Sequence, residues 1–417
     1  MTLWMNENKY DVSIKFFTFL VSPFLALFFG LLRVKTRSSF FLFFLIFMTF
    51  GMSFSVPDQR TENFNLDGVA YRNSFEASEN ESIDNYLVDL EKYISFTGAS
   101  DFYHTTVNFI VSRCLNNYHL MFLVVSIVFA FFSLASLKFL VTEKHFTNSL
   151  PCFILLYLFM TNQIFNINAY RFFTAAWIAV YALLNILLNN NNKYIFLLLF
   201  TPFFHGSFFV FYVLICLYLL TGKFLNLWAI LFFISFFISS LALELFTNIL
   251  DYLPVALVNK YYYYLNESYV MQVNEGGSGY MWVKRLFEFV ARVSVNCIVC
   301  MFVYKFKTCI KNTNCQKMYV FLLILMTLVN FTMMIPAFGS RFMLLCLPFI
   351  AYIWLVCFKN RKYNKYLYIL GIMFLLHMAL PFKVYSLPCV QYYTWVLEPC
   401  FFYASPLYLL YKYIVLF

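Results

Sequence analysis

The stretch "NQIFNINAYRFFTAAWIAVYALLNILL", residues 162–188, is almost wholly apolar, yet Arg171 stands near its beginning behind a group of polar side chains. The residues after Arg171 are long enough, as a helix, to cross a bilayer core of roughly 30 Å. Apolar runs of about 17 to 23 residues recur along the chain, separated by short polar breaks. This repetition predicts a protein of membrane-spanning helices. A permanent cation in the first turn of such a helix then requires a physical explanation.

The composition excludes a soluble domain. Of 417 residues, 63% are hydrophobic and 23% aromatic, while only 12% are charged. A closed β-barrel would need short alternating strands rather than continuous apolar runs. We therefore predict an all-α polytopic integral membrane protein, one transmembrane domain over residues 1–417 with about 12–13 transmembrane helices. No cleavable signal pattern precedes the first run, so the first helix is expected to be retained.

The predicted spans have boundaries that are uncertain by a few residues. They are residues 12–32, 39–56, 119–141, 149–165, 172–188, 193–205, 207–221, 225–247, 286–304, 318–335, 342–358 and 366–382. A shorter apolar tail, residues 399–417, is a candidate thirteenth span.

The charges predict the orientation of these spans. Alternate threading puts fifteen Lys and Arg side chains and one acid, Glu143, on one side. The positive-inside rule makes that side cytoplasmic. The N-terminal residues then lie outside, with two larger outer loops, residues 57–118 and 248–285. The net charge of +10 follows from this topology, and no nucleic acid partner is needed to explain it.

Several function classes are disfavoured. The predicted cytoplasmic loops are too short for a nucleotide-binding domain, and no Walker-type glycine loop occurs, so ATP is not expected to drive the protein directly. The eleven cysteines are scattered through apolar runs and indicate small membrane hydrophobes rather than redox or metal ligands. The acidic run at residues 76–91 alternates with Asn and Ser and indicates a solvated face, so we predict neither a metal site nor a cofactor.

Three polar side chains are predicted to converge on the outer side. Arg171 and Arg341 each begin a helix there, and His205 lies at the outer end of a helical hairpin. Ionisable groups at such depth are costly and usually face a partner or a water-filled cavity. Arginine at a helix N-terminus also suits phosphate. The simpler alternative, that both arginines reach out to lipid headgroups, stays open at this point.

At these residues the sequence resembles a known family. The block of residues 168–220 resembles the core of the EpsG-like branch of Wzy-type polysaccharide repeat-unit polymerases. In that branch an Arg opens a helix, a short basic turn follows, and a later helix ends in Phe-His before a small residue and Ser. "NLDGVAYRNSF", residues 65–75, and "IPAFGSRFMLLCLPFI", residues 335–350, resemble the flanking Asp-containing and Arg-containing segments. The resemblance covers roughly residues 10–382.

The resemblance implies a function and a location. A GT-C-like membrane glycosyltransferase would join oligosaccharide repeat units carried on undecaprenyl diphosphate into O-antigen or a related surface polysaccharide. The site would face the periplasm from the bacterial inner membrane. The implied partners are the lipid-linked oligosaccharide, as both donor and acceptor, and the lipid bilayer. The implied function is compatible with two further partners, a chain-length regulator and a flippase.

The resemblance also implies residue roles, in an inverting and metal-independent reaction. Arg171 and Arg341 would bind the diphosphate, and His205 or Asp67 would act as the base. Tyr71 and Arg72 would line the same cleft. In the aromatic outer loop, residues 259–285, Arg285 would contact an anionic sugar.

Three other functions share some of these features. A flippase for the same lipid would show internal repeats and charges through both leaflets, which the sequence lacks. An O-antigen ligase needs the same outer diphosphate site, so the sequence separates it poorly from a polymerase. A membrane acyltransferase would place its catalytic His on the other face.

Overall fold

The computed structural model describes residues 4–56, 67–239, 241, 244–245, 248, 252–258, 281–335, 338–384 and 404–416. Within these residues the protein is helical and contains no strand. In the part of the chain that the structure describes, five helical segments are long and apolar enough to cross a membrane, and five shorter apolar helices accompany them. The predicted fold class, an all-α polytopic membrane protein, is confirmed.

The helices are numbered in chain order. They are α1 (Lys9–Val21), α2 (Pro23–Leu32), α3 (Arg37–Met52), α4 (Asp67–Ala77), α5 (Ile83–Ile94), α6 (Tyr103–Ser112), α7 (Tyr118–Val141), α8 (Leu150–Phe159), α9 (Tyr170–Asn189), α10 (Tyr194–Leu199), α11 (Thr201–Phe204), α12 (Val210–Thr221), α13 (Leu225–Ile234), α14 (Met281–Cys309), α15 (Thr313–Phe331), α16 (Gly339–Cys357), α17 (Asn364–Val384) and α18 (Pro406–Leu410).

The centre of the bundle is α9, which packs against α7, α10, α11 and α15. Its residues after Arg171 are buried on nearly all sides, including Trp177 at 1% exposure. The Trp177 indole N–H donates to the carbonyl of Asn162 at 3.0 Å, which satisfies the one polar atom of a buried side chain. A helix that is apolar all round is stable only in such a position, so Arg171 stands where a central helix meets the end of the bundle.

Around this centre, α3 packs on α7, and α16 packs on α15 and α8, while α14 packs on α17. A reciprocal pair of buried amides joins α14 to α15, because Asn296 and Asn330 each donate to the other at 3.1 and 2.9 Å. Away from water such paired hydrogen bonds stabilise one helix contact over others.

The predicted first span, residues 12–32, is not one helix. The chain turns at Ser22, whose hydroxyl accepts from the Leu25 N–H at 3.3 Å, and Pro23 starts a new helix. Serine followed by proline is a strong helix-start signal, because proline has no N–H to donate to the preceding turn. Helix α2 has only 10 residues, about 15 Å, too short to cross a bilayer core.

This hairpin corrects the expected position of the N-terminal residues. The Met5 N–H donates to the Lys35 carbonyl at 2.9 Å, and Asp11 forms an ion pair with Arg33. Residues before α1 therefore lie beside the Arg33–Arg37 turn and not on the opposite side of the bundle. The buried ammonium of Lys15 is compensated by the Glu7 carboxylate, as a buried charge requires.

The first predicted outer loop is folded where it is described. Helices α4 and α6 pack against α7, and α4 contacts the 3₁₀ turn Ile164–Ala169 that leads into α9. Helix α5 contacts α6, because the Tyr86 ring stacks on the Phe109 ring. Helix α18 packs on α3, and the Tyr413 carbonyl accepts from the Asn117 side chain at 2.9 Å. Residues 57–66 and most of the second predicted outer loop, including 259–280, lie outside the described residues, as do residues 399–403 of the tail.

Candidate functional site

Arg171 is held by two side chains from the outer helices. Its Nη1 donates to Asp101 Oδ1 at 2.8 Å and its Nε donates to the Tyr71 hydroxyl at 3.1 Å. The Asp101 side chain is 4% exposed, whereas the Arg171 side chain is 33% exposed. One edge of the guanidinium is thus fixed by a buried carboxylate, while part of its surface stays accessible to a ligand.

Tyr71 lies behind Arg171. It is buried at 5% exposure, and its ring packs 4.5 Å from the Tyr170 ring and 5.0 Å from the His104 ring, measured between centroids. Burial raises the pKa of the Tyr71 hydroxyl to about 12, with the Arg171 charge acting in the opposite direction. The hydroxyl therefore stays protonated and accepts from Arg171 as a neutral group.

His104 closes the network behind Tyr71. Its Nδ1 shares a short hydrogen bond with the Tyr170 hydroxyl, and its Nε2 lies 3.2 Å from the Asn108 amide nitrogen. Burial, reinforced by the nearby Arg171 cation, lowers the pKa of His104 to about 3. A second cation therefore does not form next to Arg171 at physiological pH.

Asp67 begins α4 on the side that faces this network. The Gly68 N–H donates to Asn168 Oδ1 at 2.7 Å, which ties the start of α4 to the turn before Arg171. A Cβ at position 68 would lie 2.6 Å from that oxygen, so the close approach requires glycine. Asp67 is exposed and lies four residues before Tyr71, and residues at this spacing share one helix face.

Asp101 also reaches the segment after His205. The Gly206 N–H points to Asp101 Oδ2 at 3.5 Å, and the Phe102 N–H donates to the Phe203 carbonyl at 3.0 Å. A Cβ on Gly206 would lie 2.7 Å from the Ser100 carbonyl oxygen. The small residue after His205 is thus needed because the Ser100–Asp101 backbone lies directly on it.

The orientation of His205 is set by Ser207. His205 Nδ1 accepts from the Ser207 N–H at 3.3 Å and lies 2.8 Å from the Ser207 hydroxyl. A nitrogen that accepts a backbone N–H carries no proton, so the neutral imidazole has its proton on Nε2. In that tautomer Nε2 is a donor, which suits an anionic oxygen better than it suits a hydroxyl proton.

Arg341 reaches the same cluster through Phe172. The Arg341 guanidinium lies 5.5 Å from the centre of the Phe172 ring, and that ring lies 5.3 Å from the imidazole of His205. Arg341 is the third residue of α16 and is partly buried. Within the described residues it makes no ion pair and no hydrogen bond through its side chain, so none of their carboxylates pairs with its charge.

The structure therefore brings His205 and Arg341 together at Phe172. Arg171 precedes Phe172 in α9 and is linked to the segment after His205 through Asp101. Arg72 is engaged differently: it donates to Glu76 at 2.7 Å and to the Val56 carbonyl at 2.8 Å, and lies 4.3 Å from the centre of the Tyr118 ring. The side chain of Arg285 lies outside the described residues.

Sequence reasoning missed Asp101. It is one of many acids in residues 57–118, and its partner Arg171 is 70 residues away. One signal was available: "SDFY", residues 100–103, is the place where acidic surface residues give way to the apolar residues of α6.

The fold and this cluster define a multi-pass membrane protein with two arginines, a histidine and a buried carboxylate assembled where its central helix begins. The chain belongs to the EpsG family, whose model matches residues 39–395. No curated protein and no solved structure gives a significant match. Family membership supports a polysaccharide-polymerase type of function in general.

Proposed function

We propose that the protein polymerises oligosaccharide repeat units linked to undecaprenyl diphosphate, at the periplasmic face of the bacterial inner membrane, to make O-antigen or a related surface polysaccharide. The observation that carries this proposal is the placement of Arg341 and His205 against Phe172, the residue after Arg171 at the start of α9. Membership of the EpsG family supports the same class of chemistry.

The charges of the cluster suit a diphosphate. Asp101 offsets the charge of Arg171 in part, and Arg341 has no protein partner among the described residues. A partly buried, uncompensated cation is costly unless a ligand supplies the missing charge. Arginine binds phosphate oxygens through two parallel hydrogen bonds, and both arginines lie at helix N-termini, where the helix dipole adds positive potential.

The reaction is a single displacement at the sugar that is joined to the diphosphate. The non-reducing sugar hydroxyl of the incoming unit attacks the anomeric carbon of the growing chain. A new glycosidic C–O bond forms as the bond from that carbon to the phosphate oxygen breaks. Attack from the face opposite the leaving group inverts the anomeric configuration. The hydroxyl proton passes to a base, and lipid diphosphate leaves with the electron pair.

In this proposal each of these tasks is assigned to a described residue. Arg171 and Arg341 stabilise the negative charge that develops on the departing diphosphate. His205 donates from Nε2 to a phosphate oxygen, as its contact with Ser207 favours. Asp67, exposed at the start of α4, accepts the hydroxyl proton. Tyr71 orients Arg171 from behind, and no step requires a metal ion.

A glycan banding experiment tests the proposal. A deletion strain is complemented with wild type, Arg171→Ala, Arg341→Ala or His205→Ala, and membrane abundance of each variant is measured. Arg113→Ala is the matched control, because Arg113 lies at the end of α6 and packs on Phe109 outside the cluster. We expect wild type and the control to restore a ladder of repeat lengths, and the three site variants to give single capped units.

Two results would overturn the proposal. If the deletion strain lost even single surface units and accumulated lipid-linked repeats inside the cell, the protein would be a flippase. If it kept free polymer that was not joined to its final acceptor, the protein would be a ligase.

A further inference from the structure

A second charged site lies at the other end of the bundle. An open cavity of about 940 Å³ lies between the connection from α7 to α8, the end of α14 with the turn that follows it, and the end of α16 with the turn that follows it. We call it the basic cavity, because lysines from all three segments line it. They are Lys144, Lys305, Lys311, Lys359 and Lys362.

The described lining contains one carboxylate, and it is already engaged. Glu143 Oε2 accepts from the Tyr352 hydroxyl at 3.2 Å, and Glu143 Oε1 accepts from the Lys144 backbone N–H at 3.1 Å. No salt bridge joins a carboxylate to any of the five lysines within the described residues. No salt bridge among the described residues therefore offsets the charge of these five lysines.

Lys359 and His145 are held together in the cavity. Lys359 Nζ lies 2.6 Å from His145 Nε2, so the ammonium donates to a neutral imidazole. Burial together with the Lys359 charge lowers the pKa of His145. The imidazole thus orients a cation without neutralising it.

Helix ends reduce the positive potential but do not cancel it. Helices α7, α14 and α16 end at the cavity, and each C-terminus contributes roughly −0.5 of a charge. Together with the charge of Glu143, the three helix ends offset about half of the positive charge of the five lysines. The basic cavity is therefore a net positive, concave site with a volume in the range of small-molecule pockets.

We propose that the basic cavity binds a phosphate-bearing anion, either a free phosphate compound or the headgroup of an anionic lipid. Lysine is a common phosphate ligand that acts as a point charge. Basic pockets between membrane helices on the cytoplasmic side bind anionic lipid headgroups. This proposal is independent of the polymerase chemistry, because the cavity shares no residue with the cluster around Phe172.

The test uses the full-length protein and two probes. Inorganic pyrophosphate is titrated against protein in neutral phosphatidylcholine nanodiscs. Separately, native mass spectrometry counts phosphatidylglycerol molecules retained from mixed nanodiscs. The test variant is K305Q/K359Q. K193Q/K223Q is the control with equal charge loss, because these exposed lysines lie outside the cavity. K305R/K359R keeps the charge and checks that folding is intact.

We expect K305Q/K359Q to lose roughly fivefold or more in affinity for one of the probes, while the control and the arginine variant bind as wild type does. Loss in the pyrophosphate arm identifies a free phosphate compound, and loss in the lipid arm identifies a headgroup. Equal weakening by K193Q/K223Q, or the absence of saturable binding in both arms, would overturn the proposal.

Discussion

The Asp101 carboxylate accepts from the Arg171 guanidinium at 2.8 Å through one oxygen and faces the Gly206 N–H through the other. One buried side chain thus fixes the positions of the central helix and of the segment that carries His205. Because the rest of the Arg171 surface stays accessible, Asp101 is a positioning residue that leaves its partner free to bind a ligand.

Asp101→Asn should impair both stability and activity. Loss of the charge leaves the Arg171 cation poorly compensated, which should cost about 1–3 kcal/mol in the free energy of unfolding. Glycan polymer should fall about tenfold or more. Thermal unfolding in detergent and glycan ladders in cells measure the two effects. The matched control is Asp89→Asn, whose carboxylate pairs with Lys92 at the exposed surface and should have no measurable effect.

A double-mutant cycle distinguishes the interaction between Asp101 and Arg171 from general destabilisation of the protein. If Asp101 acts through Arg171, then Asp101→Asn and Arg171→Gln together should cost less than the sum of the single variants, with a coupling of about 1 kcal/mol. Strict additivity would show that the two side chains act independently.

Arg341→Gln should separate activity from stability. Within the described residues its guanidinium forms no ion pair and no hydrogen bond and lies over the Phe172 ring, so the unfolding free energy should change by less than about 0.5 kcal/mol. Activity should fall about 100-fold, because a cation that stabilises the leaving diphosphate is lost. Arg341→Lys should recover part of it. An active, well-folded Arg341→Gln protein would remove Arg341 from the site.

Gly206→Ala should disable the site sterically. Its new Cβ would lie 2.7 Å from the Ser100 carbonyl oxygen, so the Ser100–Asp101 backbone must move away from Arg171. Polymer formation should drop strongly while the protein still inserts. Gly371→Ala is the control, since its Cβ would meet a side-chain methyl of Ile154 instead of backbone. Equal effects of the two substitutions would contradict the proposed role of this close approach.

His104 should make the protein acid-sensitive. Its pKa is about 3 when folded and near 6.5 when unfolded. Above pH 6.5 both states are neutral and His104 contributes nothing to the pH dependence. Below pH 6.5 only the unfolded state gains the proton, so stability should fall by on the order of 1 kcal/mol per pH unit. The melting temperature of His104→Gln should therefore change less between pH 7.5 and pH 5 than that of wild type. An equal change in the two proteins would contradict this assignment.

Metal chelation should leave the reaction unaffected. The proposed step uses Arg171 and Arg341 as the positive charges at the diphosphate, so EDTA should not alter the rate of polymer formation in isolated membranes. Inhibition by EDTA that Mg²⁺ or Mn²⁺ reverses would require a metal ion in the site.

The sequence predicts some of these features well. Apolar runs indicate the helices, and residue types at helix ends indicate Arg171, His205 and Arg341. The structure places Arg341 and His205 at Phe172 and links Arg171 to the segment after His205 through Asp101. The break at Ser22–Pro23 was also readable, because serine and proline at those positions signal a helix start. The length of the apolar run, residues 12–32, by itself predicts one continuous span.

Other features depend on contacts between distant residues. The pairing of Asp101 with Arg171 arises from the way α4 and α6 fold over the start of α9, and no periodicity encodes it. The burial of Tyr71 behind Arg171, instead of at an open cleft, follows from the same packing. The tautomer of His205 depends on the backbone at Ser207, whose conformation no sequence pattern indicates.

The most direct test of the central claim is polymerisation by the purified protein. Lipid-linked repeat units isolated from the deletion strain are added to liposomes that contain wild type or Arg341→Gln, and product lengths and released lipid diphosphate are measured. The account predicts a ladder and stoichiometric lipid diphosphate with wild type, and neither with Arg341→Gln. Unchanged single units with a folded wild-type protein, or equal ladders from both proteins, would contradict it.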